Sequence, residues 1–256
     1  MDNPRVFQRI ENDIMQYAKR FLIAVVFVGF AQGLGAQDNM LTDTEKEEGW
    51  ELLFDGESVD AWRGYNLKEF PSHGWKTADG ALIVGKSDGS EQGDGGSIIT
   101  REHFTDFDFT VDFLLSDTAN SGIFYMVVDF EDTPIWHNAP EYQLLDDETY
   151  YNELGDWMDT HRTGDNYDLE AAPENYSNPV GEWNTARIVK RGNVIEHWLN
   201  GNMTLTYEIG SIKWMNQLKK SKFKDYPMYA KSNRGSIGLQ DHGHEVRFKN
   251  IKIRRL

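Results

Sequence analysis

Between Phe104 and Ser116 the chain reads FTDFDFTVDFLLS. Phe107, Phe109, Val111 and Phe113 fall on one parity, and Asp106, Asp108, Thr110 and Asp112 on the other. Side chains alternate across a β-strand with a period of two. The segment therefore suits a half-buried strand, whereas a helix would spread its phenylalanines around every side. A strand with one greasy face must bury that face against others, so the search turns to what other strands the chain supplies.

It supplies many. WELLFDG ends at Asp55-Gly56, and WKTADGALIVGK holds two strands around a turn whose Asp-Gly pair favours hairpins. SGIFYMVVDF and PEYQLLDD are further strands. WNTARIVKRGNVIEHWLNGNMTLTYEI holds three, joined by RGN and NGN turns, and GSIGLQD and HEVRFKNIKIRRL close the set. With 23 glycines and only 7 prolines among 256 residues, the composition fits short strands joined by glycine turns. Residues 211–223 are the one helical candidate of any length. About ten strands with turn signals between them predict an all-β, two-sheet antiparallel sandwich.

Three stretches stand apart. Residues 1–36 read as an export signal: Lys19-Arg20 precede the apolar run FLIAVVFVGF, and AQGLGAQ offers small residues for cleavage near Ala36. The run is short of the ~20 residues a permanent span needs. A periplasmic or extracellular protein, free of the membrane after cleavage, is expected. Residues 37–47 are polar and predict a linker, which leaves 48–256 as the sandwich domain. Residues 129–179 are rich in turns, tyrosines and polar side chains. Connections of that length are functional or disordered, and the aromatics argue for long loops that wall one face of the sandwich.

Charge and composition exclude several roles. A formal net charge of −16 repels phosphate backbones, so nucleic acid is not an expected partner. The absence of cysteine removes disulfides, thiolate nucleophiles, cysteine zinc sites and a lipoprotein anchor. No Gly-x-Ser-x-Gly elbow, P-loop, His-Glu-x-x-His or Gly-x-Gly-x-x-Gly is present.

Parity nominates a site. In PEYQLLDD, Tyr142 and Leu144 suit the core, which turns Glu141 and Gln143 to the opposite face. In GSIGLQDHGH, Ile237 and Leu239 suit the core, and Gln240 and His242 join that exposed face. His197 sits inside a strand beside a tryptophan. Asn120 and Ser121 precede Gly122, where a ligand can come close. Trp183 and Arg187 share a parity, which allows a stacked pair.

These stretches, taken in order, resemble the 3-keto-disaccharide hydrolase family. The resemblance covers about residues 48–256 and is carried by GEWNTARIVKRGNVIEHWLNG and IGLQDHG, with ELLFDGESVDAWRG, WKTADGALIVG, FTDFDFTVDFLLSDTANSGIFY and PEYQLLDD. It implies a concanavalin A-like jelly roll with a concave, loop-walled face, and action on a carbohydrate substrate oxidised at C3. A 3-keto group acidifies the C2 proton, so a base can start an elimination that expels the C1 oxygen, and water then adds to the enone. On this reading His197 or His242 serves as base and acid, with Glu141 orienting one of them or acting itself. Gln143, Gln240, Asn120, Ser121, Asp146 and Arg187 bind sugar hydroxyls or the enolate, and Trp183 or Trp157 stacks on the ring. No cofactor is required. Glu141, Asp146, His197 and His242 are of types that ligate a divalent metal, though their spacing does not demand one. A non-catalytic carbohydrate-binding module and a conventional endo-glucanase of the same fold are the alternatives.

Overall fold

The computed structural model describes residues 37–256 except 88, 89 and 91, and all their side chains except those of 152–157. The expected export signal and the Trp157 side chain lie outside the described residues. Among the described residues, thirteen strands form two antiparallel sheets. The larger runs β11 (Asn202–Glu208), β10 (Val194–Leu199), β9 (Trp183–Arg191), β6 (Phe107–Leu115), β13 (Val246–Arg255), β4 (Ala81–Val84), β3 (Trp75–Ala78), and β1 (Trp50–Leu52) also pairs with β13. The smaller runs β2 (Trp62–Gly64), β5 (Ile98–Thr100), β12 (Ser236–Leu239), β7 (Asn120–Val127), β8 (Glu141–Leu145).

The alternation in β6 does what its spacing predicts. Phe107, Phe109, Val111 and Phe113 are fully buried between the sheets, facing Ile123, Tyr142 and Leu239 of the smaller sheet in one continuous core. The aspartates lie on the outer face of the larger sheet and are cross-linked there. Asp108 accepts from Arg187 Nε at 2.6 Å and Nη2 at 2.8 Å, and from Arg254 at 2.9 Å. Asp79 and Gly80 both take positive φ, +53° and +70°, in the predicted β3–β4 hairpin. That pair of left-handed residues matches the twist of the flanking strands.

Three expectations are revised. Residues 37–47 are not a loose linker. Asn39 is 6 % exposed; its N–H donates to Asn250 Oδ1 at 2.6 Å, its Nδ2 donates to the Gly80 carbonyl at 2.7 Å, and its Oδ1 accepts from Asn250 N at 2.9 Å. A short helix, α1 (Asp43–Glu47), follows, closed by a capping box between Thr42 and Glu45. Polar composition concealed a segment whose side chains complete a buried backbone ladder. The helix expected over 211–223 stops early as α3 (Ile212–Leu218), and a 3₁₀ turn, Lys222–Asp225, is capped separately by Ser221. The stretch read as loops holds a further helix, α2 (Asp147–Leu154).

Candidate functional site

The candidate site spans three neighbouring strands on the outer face of the smaller sheet. β7 lies between β8 and β12, with Gly122 opposite Gln143 and Phe124 opposite Glu141. Just past β12, Gln240 N donates to the Gly122 carbonyl at 2.9 Å. Gly122 is thus flanked by Gln143 on one side and Gln240 on the other. A Cβ built on Gly122 would stand 2.0 Å from Glu141 Oε1. The glycine is what lets the Glu141 carboxylate lie across the strand.

Above Gly122 is a small hollow of about 30 Å³, lined by Asn120, Glu141, Gln143, Gln240 and His242, with Trp136, Tyr167 and Lys222 at its rim. It has room for one or two water-sized groups. Gln143 and Gln240 are 2 % and 5 % exposed, and the Oε1 atom of each is buried without a hydrogen-bond partner. Buried acceptors are normally paired, because leaving one bare costs about 1–3 kcal/mol. Unpartnered atoms also occur at Asn166, Trp214 and Tyr229, but at Gly122 two of them stand with a carboxylate and a histidine.

The walls come from the polar stretch 129–179. β8 is an edge strand, and residues 163–167 cover its edge: Gln143 N donates to the Asp165 carbonyl, Gly164 N to the Gln143 carbonyl, and Tyr167 N to the Glu141 carbonyl at 3.1 Å. This places Tyr167 beside the pocket. Asp165 holds the bend by accepting from Arg162 N and Ala172 N, and burial pushes its carboxyl up to about 7 despite those bonds and the nearby Arg162. On the other side the 3₁₀ turn Ile135–His137 packs on an outer apolar cluster with Phe124 and Val127, and brings Trp136 to the rim.

Asp241, between the two site residues of QDHGH, is a bolt. Its carboxylate accepts from Gly95 N and Gly243 N, each at 2.9 Å. It ties the glycine-rich 93–96 loop to the end of β12. The QDHGH stretch is both turn and site edge.

Several sequence candidates lie elsewhere. His197 is fully buried between the sheets. Its Nδ1–H donates to the Gly164 carbonyl at 3.0 Å, so Nε2 is the acceptor of the Tyr125 hydroxyl at 2.9 Å. Tyr125 in turn bonds Tyr207. Burial pushes the His197 pKa down to about 4, so it is neutral at pH 7. It is a satisfied core histidine, because β10 turns Ile195, His197 and Leu199 inward together. Arg187 and Trp183 lie on the outer face of the larger sheet, across the sandwich from Glu141. Arg187 packs on Trp198, and Lys249 lies over Trp183, so the expected Trp183–Arg187 stack is absent. Ser121 points inward and donates to the Gln240 carbonyl at 2.9 Å. Asp146 accepts from Thr118 N and Thr149 N. It lines a separate groove of about 820 Å³ at the end of β8, with Asp147, Tyr151 and Arg162. With His197 and Asp146 facing away from Glu141 and His242, the four do not form one ligand set. No cluster of three or more His, Asp or Glu suited to a metal occurs among the described residues.

Trp136, Tyr167 and Lys222 were missed by the sequence reading. All three sit in turns, where a period of two carries no information.

Comparison with known proteins agrees with this architecture. Residues 49–254 match the 3-keto-alpha-glucoside-1,2-lyase-like domain family. A 3-keto-disaccharide hydrolase of Bacteroides thetaiotaomicron is 31 % identical over 230 residues, 82 % of this chain and 79 % of that protein. Two crystal structures of candidate glycosyl hydrolases from Parabacteroides distasonis are similar. One has 32 % identity and a TM-score of 0.76, covering 86 % of this chain and all of the other. The second has 26 % identity and a TM-score of 0.60, covering 81 % and 99 %.

Proposed function

Because the chain belongs to the 3-keto-alpha-glucoside-1,2-lyase-like family, we propose that the pocket over Gly122 cleaves the glycosidic bond of 3-keto-glycosides by elimination and hydration. The observation that carries this is the pocket's content: a carboxylate, a histidine and two unpartnered amide oxygens around an oxygen-sized hollow.

With His197 in the core, Glu141 and His242 remain to share the roles of base and acid. The base takes the C2 proton, and its electron pair becomes an enolate on the C3 oxygen. As the C3 carbonyl re-forms, the C1–O bond breaks and the leaving oxygen takes a proton from the acid. Water then adds across the enone, hydroxyl to C1 and proton to C2, and the net change is hydrolysis. Asn120, Gln143 and Gln240 orient the sugar through its hydroxyls. Positioned acid–base groups of this kind contribute about 10²–10⁴ in rate. Export belongs to the same proposal, and N-terminal sequencing of secreted protein beginning near Gln37 would support it.

The test is product NMR in D2O with a 3-keto-glucoside beside the plain glucoside. The oxidised substrate should be cleaved with deuterium at C2, and the plain one should be inert. Equal turnover of both, or cleavage without deuterium, would favour an ordinary glucanase. Binding with no turnover of either would favour a carbohydrate-binding module.

A further inference from the structure

The hollow over Gly122, at about 30 Å³, takes an oxygen of a sugar and not its ring. The rest of a bound glycoside lies outside it, and β8 shows a direction. Side chains alternate along the strand, so Glu141, Gln143 and Leu145 share one face, while Tyr142 and Leu144 turn into the core. Glu141 and Gln143 line the hollow, and Leu145 lines the groove of about 820 Å³. At ~3.4 Å per residue, Glu141 and Leu145 are about 14 Å apart along the strand. The neighbouring strand brings the two spaces closer: Asn120, which lines the hollow, is the register partner of Leu145.

The groove has the size of a ligand site, typically about 300–1,000 Å³, and the segments around it are tied together. Asp147 Oδ1 accepts from Thr163 N at 2.8 Å, and its Oδ2 accepts from Asn175 Nδ2 at 3.0 Å. The Thr163 hydroxyl accepts from Leu145 N and donates to the Leu145 carbonyl, both at 2.9 Å. These bonds join the start of α2, the 163–167 wall, residue 175 and the end of β8. Against this frame stands Tyr151, 60 % exposed. Arg162 Nε is buried at the groove with no hydrogen-bond partner. Among the described lining residues, Arg162 is the one lysine or arginine, and it faces Asp117, Asp146, Asp147 and Glu148. Such a balance repels an anionic ligand. Carboxylate acceptors, one donor and an open aromatic ring suit a neutral sugar chain, whose hydroxyls donate and whose C–H faces lie on rings.

We propose that the groove is a distal carbohydrate subsite: it binds the unoxidised end of a neutral oligosaccharide whose 3-keto ring lies over Gly122. The bound end belongs to the leaving group, which is attached through C1 of the oxidised ring. The substrate class is then a 3-keto-oligosaccharide longer than a disaccharide. The placement of the reactive ring rests on the 3-keto-glycoside reading; binding of a plain sugar chain in the groove does not.

The experiment has a binding arm and a kinetic arm. In the first, isotope-labelled protein is titrated by NMR with unoxidised α-1,4-, β-1,4- and β-1,3-linked glucan hexasaccharides beside the matching disaccharides. A hexasaccharide should shift the amides of Tyr151 and Asn175 saturably, and its disaccharide far less. Tyr151→Ala should weaken that binding by roughly five- to tenfold, the share of one aromatic anchor. Tyr151 is exposed, so the variant should fold, and circular dichroism checks this. In the second arm, a hexasaccharide oxidised at C3 of its non-reducing ring should be cleaved with a kcat/KM about tenfold above that of the 3-keto-disaccharide, and Tyr151→Ala should erase the difference. No shift at the groove with any hexasaccharide would overturn the subsite and leave the chemistry of the pocket intact. Binding in the groove with equal kcat/KM for long and short substrates would detach the groove from the pocket and overturn its role in the reaction. Binding in the groove with no turnover of either oxidised substrate would uphold the sugar site and overturn the reaction assigned to the pocket.

Discussion

The interior of the sandwich and the outer face of the smaller sheet carry the same kinds of residue in opposite conditions. In the interior, His197 of the larger sheet has both ring nitrogens bonded, and Tyr125, Tyr207 and the Gly164 carbonyl complete the set. On the outer face, Gln143 and Gln240 each bury an oxygen with no partner, beside Glu141 and His242. A buried polar network that is fully paired stabilises a fold. One with bare acceptors around a hollow costs stability, and the substrate's donors are the natural partners for those atoms. The comparison teaches that residue type alone does not mark a site; unspent hydrogen-bonding capacity gathered with ionisable groups around a hollow does.

The sharpest way to break the comparison is at Glu141. Glu141→Gln should lower turnover of a 3-keto-glucoside by about 10²–10⁴, with a melting temperature close to the parent's. A loss of stability in place of activity would assign Glu141 to the fold. Gly122→Ala comes next. Its Cβ would push the carboxylate off the floor, and a displacement of about 1 Å costs roughly 10²-fold in rate. Unchanged kinetics there would mean that the Glu141 position over Gly122 is immaterial.

The supporting shell predicts a pH effect of defined sign. The Asp165 carboxyl is pushed up to about 7 in the folded chain, above its ordinary value near 3.9. The native state therefore holds that proton more tightly, and this contribution to stability is present below pH ~4 and lost as pH rises through about 7. His197 acts in the opposite direction: its pKa is pushed down to about 4, so its contribution is present above pH ~6.5 and lost as pH falls through about 4. Urea titrations of parent and Asp165→Asn across this range should show the parent's advantage shrinking from pH 4 to 7. An advantage that grows with pH would contradict the burial argument.

Smaller effects sharpen the outline. Asn39→Ala should lose about 1–3 kcal/mol by leaving buried groups unpaired; no loss in urea titration would restore the linker reading. Trp183→Ala, on the far sheet, should leave turnover within about twofold, as surface changes do. A large loss would put the site on the wrong side of the sandwich.

Much of this was legible in the sequence. Period-two alternation marked β6, the Asp79-Gly80 turn marked a hairpin, and parity placed Glu141 with Gln143 and Gln240 with His242. The same parity, applied to Ile195, His197 and Leu199, points His197 inward. Arg187 and Trp183 do face outward as parity requires, but alternation gives the face of a strand, not which of two sheets it joins. Asn39 meets Asn250 across 211 residues of chain, and Trp136, Tyr167 and Lys222 converge from three turns. Contacts of that range leave no periodic trace.

The most direct test of this comparison sets His242→Gln beside His197→Gln and measures turnover of a 3-keto-glucoside per folded molecule. His242→Gln should lose about 10²–10⁴ in rate while keeping its melting temperature, and His197→Gln should keep most of its rate while losing about 2–4 kcal/mol of stability from the unpaired Tyr125 hydroxyl and Gly164 carbonyl. The reverse pattern, with His197 essential to turnover in a stably folded protein and His242 dispensable, would contradict it.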